Sequence, residues 1–259
     1  MPLRLVQPGL GATRPLVAMF LASGDLDTKI RAAFGPAPCI IADHTKDGKE
    51  TLLELVEFAH KSAGVSQVSK LALVGYSAGC QRVRKLQIDG ANADAFLLSD
   101  GTHASWPPQE WQIAWLRDIA NQARKGQKLV VASHTWNTYT ETLKEKAYAS
   151  TVTVLRKATG FPLEKGGPPE APVVSNDGQL WVYSYASKDA DMVAHSYQAM
   201  VVQPKLAAAH VAPWLLNGPQ ASPRPEPTKE PARTSSSSGD IDEGILFAGV
   251  AMLARRLMG

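Results

Sequence analysis

One pentapeptide has residue types and spacing suited to nucleophilic chemistry: Gly75-Tyr76-Ser77-Ala78-Gly79. It follows the apolar run Leu71-Ala72-Leu73-Val74 and opens a helical-looking segment, Cys80 to Ile88. A serine between a strand and a helix, with glycine two residues to either side, can sit on a turn too tight for larger flanking residues. That turn lifts the hydroxyl above the sheet edge, where a base and a substrate can reach it. The alternative is an ordinary strand–turn–helix with a buried serine.

A serine hydroxyl needs a base, and the base needs a group that orients it. Of six histidines, His195 is the best placed. It follows the apolar run Leu180 to Tyr185 through the polar loop 186–191, and it opens a helix. The first candidate for the acid is Asp100, in Leu98-Ser99-Asp100-Gly101 at the end of another apolar run. Asp189 and Asp191, close to His195 in sequence, are the alternatives. Asp94 precedes its strand and belongs at the opposite sheet edge. His103 and His134 follow strands at the edge that should carry chemistry. With Trp106, Trp136 and Tyr76 they are candidates for contacting substrate or supporting the acid. Asp100, His103, His134 and His195 could also surround a metal, but no metal-binding spacing supports this, and neither metal nor cofactor is expected. His60, in a helical run, and His210, in an Ala-rich one, read as surface and structural residues. An oxyanion hole needs two backbone N–H groups. Ala78, directly after the serine, should supply one, and Ser23 or Gly24, after an early strand, the other.

Strand-like and helix-like segments alternate along most of the chain. Val17–Leu21, Cys39–Ile41, Leu71–Val74, Ala95–Leu98, Leu129–Ala132 and Leu180–Tyr185 read as buried strands. Between them, Asp47 to Glu50 resembles a capping box before a helix bearing Leu52, Leu53, Val56 and Ala59 that Gly64 ends. Pro107-Pro108 suit the start of a helix with Trp111, Ala114, Trp115 and Ile119 on its apolar face. A further helix is expected over Thr140 to Thr159, and residues 160–179, rich in Gly and Pro, read as a loop. Short apolar strands alternating with amphipathic helices predict an α/β fold: a mostly parallel sheet with helices on both faces.

The 259 residues are 44% hydrophobic and 20% charged, which fits one sizeable core. A net charge of +3, with only Arg82, Arg84 and Lys85 clustered, does not suggest nucleic-acid binding. Cys39 and Cys80 read as buried free thiols rather than a disulfide framework. There is no secretory signal pattern and no membrane-length apolar run, so the expected compartment is cytoplasmic. Residues 1–217 are expected to form the catalytic domain. Residues 218–240, with five prolines after Gly218 and then Ser235 to Ser238, read as a disordered linker. Residues 241–259 read as a short apolar helix ending in Arg255-Arg256. It is suited to a partner protein, self-association or a membrane surface.

Taken together, residues 15–215 resemble the α/β-hydrolase superfamily. The elbow Leu73 to Gly79 is the specific match; Asp100 and His195 match by order and position. The family order, serine then acid then histidine, also argues against His44 and His60. The resemblance implies a serine hydrolase working through an acyl-serine intermediate. A small-molecule, lipid or glycan carboxylic ester is the first expectation for substrate, followed by an amide or peptide, or acyl transfer. A binding protein with a hydrolase-like core, tethered by its tail, is the expectation from a different class. The sequence departs from the family in having no carboxylate directly after the strand ending at Ala132.

Overall fold

The computed structural model describes residues 3–21, 24–45, 48–135, 148–163, 166–187 and 191–219, all within one compact unit. In chain order the strands are β1 (Leu3–Gln7), β2 (Thr13–Phe20), β3 (Cys39–Asp43), β4 (Gln67–Tyr76), β5 (Ala95–Ser99), β6 (Ala104–Ser105), β7 (Leu129–Thr135), β8 (Tyr148–Ala149), β9 (Val173–Asp177) and β10 (Leu180–Tyr185). Eight of them form one sheet in the order β1-β3-β2-β4-β5-β7-β10-β9, while β6 and β8 pair separately. The six inner strands are parallel, and β1 and β9 are antiparallel edges.

The helices are α1 (Asp27–Phe34), α2 (Leu52–Ala63), α3 (Gly79–Ile88), α4 (Glu110–Arg124) and α5 (Thr151–Thr159). A continuous helical run follows: α6 (Met192–Tyr197), α7 (Gln203–Leu206) and α8 (Ala212–Asn217), joined by wider π-type turns. Successive strand residues point to opposite faces, and the core divides accordingly. Leu16, Ala18, Leu71, Leu73, Phe96, Leu98, Val130 and Ala132 pack with the helices α2 to α5. Val17, Met19, Ala72, Val74, Ala95, Leu97 and Val131 pack with α1 and the C-terminal helical run. Covering both faces requires unbroken apolar strands, which is why those segments are legible as such.

Several expectations need correction. The capping box before α2 is Thr51 with Glu54, not Asp47 to Glu50: Thr51 Oγ1 accepts from Glu54 N–H while Glu54 accepts from Thr51 N–H. Leu53 faces solvent, and Leu55 takes the core position. On α4, Trp111 is exposed; the buried face is Ile113, Trp115, Leu116, Ile119, Ala120 and Ala123. Of the helix expected over Thr140 to Thr159, residues 140–147 lie outside the described residues; Tyr148–Ala149 is strand, and α5 begins at Thr151, capped by Ser150. The segment 160–179 contains β9, which turns at Gly178 to pair with β10. The edge strand β1 and helix α1 were not expected. Cys39 and Cys80 are both buried free thiols. The basic cluster is dispersed: Arg82 is buried against Glu50, Arg84 lies over the Trp111 ring, and Lys85 pairs with Asp89. No helix among the described residues is long and apolar enough to cross a membrane. The linker from residue 220 onward and the tail 241–259 lie outside the described residues.

Candidate active site

β4 ends at Tyr76 and α3 begins at Gly79, so the chain must reverse within two residues. Ser77 takes the left-handed conformation, with φ 52°. For a residue with a Cβ this is strained by on the order of 1–3 kcal/mol. The strain is held by Ser77 N–H donating to Ser99 O at 2.9 Å and by Cys80 N–H donating to Ser77 O at 3.0 Å. Both flanking glycines are required by close approach. A Cβ on Gly75 would lie 2.8 Å from Cys80 N, and one on Gly79 would collide with the Phe20 carbonyl. The start of α3 is thereby seated against the end of β2, where Leu21 also adopts a positive φ, of 57°. The segment that follows β2 was expected to complete an oxyanion hole. Gly24 opens a 3-10 turn, Gly24–Leu26, and Ser23 lies outside the described residues.

Strand register aligns the other groups with this elbow. Tyr76 pairs with Ser99 across β4 and β5, and Ser99 with Ser133 across β5 and β7. Asp100 therefore emerges at the same sheet edge as Ser77. It too has a positive φ, 49°, and its N–H continues the ladder to Ser133 O at 2.8 Å. Its carboxylate is fully buried. Oδ2 lies 2.8 Å from His195 Nδ1 and accepts from Thr135 Oγ1 at 2.7 Å; Oδ1 accepts from Thr135 N–H at 3.1 Å. Burial alone would raise the Asp100 pKa. The hydrogen bond and charge of His195, with the two Thr135 hydrogen bonds, outweigh burial and hold the carboxyl below its ordinary range.

His195 sits in the first turns of α6 and is fully buried. Its ring lies 4.8 Å, centroid to centroid, from the ring of Tyr76, the residue before Ser77. Because Nδ1 is engaged by Asp100, any base function falls to Nε2. Asp191 does not join this pair. It caps α6, its Oδ1 accepting from Val193 and Ala194 N–H, each at 3.0 Å. Asp189 and Trp136 lie outside the described residues.

The remaining candidates stand around this centre. His134 Nε2 lies 2.8 Å from Ser184 Oγ, and burial lowers the His134 pKa. His103 is buried with its ring edge-on to Tyr148. Burial first, then the charges of Arg84 and His195, lower its pKa to about 4, opposed by Asp100. Trp106 is exposed. His210 lies 2.6 Å from the Tyr183 hydroxyl, and His60 is on the exposed side of α2. Asp94 is at the opposite edge, accepting from Leu71 N–H. Among the described residues no group of three His, Cys, Asp or Glu could hold a metal ion.

Two residues at this centre escaped sequence reasoning. Thr135 embraces Asp100. Gln81, on α3, donates to the Gly101 and His103 carbonyls at 2.7 and 3.1 Å and so ties the acid loop to the elbow helix. A cavity of about 230 Å³ opens beside Thr135, Tyr185, Asp191 and Val193.

No protein-family model matches the sequence, and no curated protein matches it. Similar solved structures include the siderophore hydrolase EstB from Aspergillus nidulans, at 12% identity and TM-score 0.41, covering 83% of this chain and 87% of that one. A putative dienelactone hydrolase from Klebsiella pneumoniae has 10% identity and TM-score 0.45, over 81% and 89% of the two chains. A proline iminopeptidase from Mycobacterium smegmatis has 9% identity and TM-score 0.39, over 83% and 93%. Likeness at this distance carries no argument. The mostly parallel sheet, the helices on both faces and the strand–Ser77–helix turn give this chain an α/β-hydrolase fold.

Proposed function

We propose that the protein is a serine hydrolase that cleaves a carboxylic ester through an acyl-serine intermediate. In this reading Ser77 is the nucleophile, His195 the base and Asp100 the acid. One observation carries it: a fully buried Asp100–His195 hydrogen bond of 2.8 Å, its imidazole against Tyr76 beside the left-handed Ser77. Chemistry gives that arrangement a purpose. An Asp–His pair costs desolvation energy when buried, and it fixes the imidazole tautomer that removes a proton from a serine.

The reaction runs in two halves. Ser77 Oγ bonds to the ester carbonyl carbon while its proton passes to His195 Nε2. The tetrahedral oxyanion is met by backbone N–H groups, for which Ala78 and the segment at Ser23 and Gly24 are the candidates. Collapse breaks the bond to the alkoxy oxygen, which leaves with the proton from Nε2. Water then attacks the acyl-serine, gives its proton to Nε2, and releases the acid as Ser77 regains its hydrogen. Asp100 stays ionised throughout and stabilises the imidazolium. An amide substrate would pass through the same steps with an amine leaving, and an acyltransferase would use an alcohol or amine in place of water.

The test is turnover on a panel of p-nitrophenyl esters of increasing acyl length. Wild type should hydrolyse at least one of them, and Ser77→Ala should lower kcat/KM by three orders of magnitude or more, roughly the effect of losing a triad nucleophile. Activity in Ser77→Ala within about tenfold of wild type would overturn the assignment. A folded wild-type chain inert to every ester and amide would favour the binding-protein reading.

A further inference from the structure

We infer that Thr135 is the positioning residue for the Asp100–His195 pair, holding the carboxylate in the orientation in which it meets the histidine. This rests on the serine-hydrolase reading and deepens it. The acid is borne by β5, but its support comes from the next strand, β7, through both hydrogen-bond donors of a single residue. Thr135 Oγ1 donates to Oδ2 at 2.7 Å and Thr135 N–H to Oδ1 at 3.1 Å. Oδ2 thus carries two partners, His195 Nδ1 and the threonine hydroxyl, while Oδ1 is anchored to backbone. Rotating the carboxylate away from His195 would break both Thr135 bonds at once.

Local sequence makes the need for such support plain. Asp100 stands in a left-handed conformation at a strand end and is fully buried, with His195 and Thr135 as its side-chain hydrogen-bond partners. A buried carboxylate requires donors to remain ionised. Thr135 is the last residue of β7, pairs with Tyr185 of β10, and is 1% exposed. This is also where the sequence has no carboxylate after Ala132: the position holds a donor aimed at the neighbouring strand's acid.

Valine at this position keeps the shape and the backbone N–H and removes only the hydroxyl. Losing a donor leaves the carboxylate more basic, so the Asp100–His195 pair holds its proton to higher pH. The other titratable groups facing the pair are Tyr76 from β4, Cys80 from α3, His103 from the acid loop and His134 from β7; Thr135→Val leaves all of them in place.

The experiment measures the rate of covalent labelling by a fluorophosphonate as a function of probe concentration and pH, with the site identified by mass spectrometry. Wild type, Thr135→Val and Thr135→Ser are compared after their folding is checked by thermal melts. If wild type is not labelled at Ser77, the serine-hydrolase reading fails, and this inference with it. If wild type is labelled, Thr135→Val should lower the maximal labelling rate by about 10- to 100-fold, leave the half-saturating probe concentration within about threefold, and move the acid limb upward by half a unit or more. Thr135→Ser should restore both rate and limb. The inference is overturned by a Thr135→Val rate within twofold of wild type with an unmoved limb. It is equally overturned by a loss confined to probe affinity, or by a serine variant as impaired as the valine one. If Thr135→Val does not fold, Thr135→Ser alone decides: wild-type rate and limb support the inference, and a tenfold loss overturns it.

Discussion

Gly101→Ala is the most informative single perturbation of the framework, because Gly101 lies where the acid loop meets the elbow. A Cβ built there collides with the Ser77 carbonyl oxygen, stands 2.6 Å from the Ser77 carbonyl carbon, and stands 2.8 Å from Cys80 Sγ. Ordinary contact begins near 3.4 Å, so relieving the carbonyl-carbon contact requires a retreat of about 0.8 Å. The obstacle is backbone, already held by Ser77 N–H on Ser99 O and Cys80 N–H on Ser77 O, and cannot rotate aside. Overpacking of this kind costs about 1–3 kcal/mol in stability. A displacement approaching 1 Å at a nucleophile costs on the order of 100-fold in rate. Gly64→Ala is the control. Gly64 has φ 70° as the cap of α2 but nothing within 4 Å of its would-be Cβ, so its replacement should cost about 1–2 kcal/mol with no effect on the site. The assay pairs a urea unfolding midpoint with the rate of fluorophosphonate labelling. Gly101→Ala should fall in both, Gly64→Ala only in stability. A Gly101→Ala variant that labels within twofold of wild type would refute the claim that acid loop and elbow are in hard contact.

Buried neutral His103 makes stability rise with pH. With its pKa lowered from 6.5 to about 4, the unfolded chain binds the extra proton between those values. The stabilisation is thus complete above pH 6.5 and lost by pH 4, a change of about 3 kcal/mol. Asp100, depressed below 3.8, adds a loss of the same sign at still lower pH. Urea melts from pH 7 to 4 should show this slope, and His103→Gln should flatten it; an unchanged slope contradicts the assignment. Asp100→Asn should lower labelling at Ser77 by several orders of magnitude. Asp191→Asn should lose no more than about 1 kcal/mol of helix capping and keep near-normal labelling; a reversed ranking would move the acid to the last loop. Cys39, pushed up to about 11 by burial, and Cys80, pushed up further by the same cause, should react with an aromatic disulfide reagent only after unfolding. Stoichiometric reaction in the native state would contradict their burial.

The sheet was legible wherever both of its faces are covered. β2, β3, β5 and β7 are nearly continuous apolar runs because helices take both sides, and β10 was bounded to the residue. The edge strands were not, because an edge needs less apolar surface: β1 offers only Leu3, Leu5 and Val6, and β9 leaves Val173 and Val174 exposed. For β9 a signal is present, since Gly178-Gln179 ahead of an alternating strand is a two-residue Gly-X hairpin turn. On α4, Trp115 and Ile119 are buried as their spacing predicts, whereas Trp111 lies under the Arg84 guanidinium at the surface. At the candidate site, Ser77, Asp100 and His195 were legible from order and flanking strands, and the structure brings Asp100 and His195 into hydrogen-bond contact. Thr135 and Gln81 were not, because a supporting donor has no motif. Its partner is set by strand register, which joins residues 35 apart for Thr135 and Asp100.

The central claim is that Ser77 is a nucleophile activated by His195 and Asp100. Intact-mass measurement after fluorophosphonate treatment of the native chain tests it most directly, with peptide mapping of the adduct and His195→Ala as the paired variant. The account expects one adduct per chain, on Ser77, formed at least a thousandfold more slowly in His195→Ala, about the loss that follows removal of a triad base. A folded wild-type chain that takes no adduct, or takes it on another residue, would contradict it.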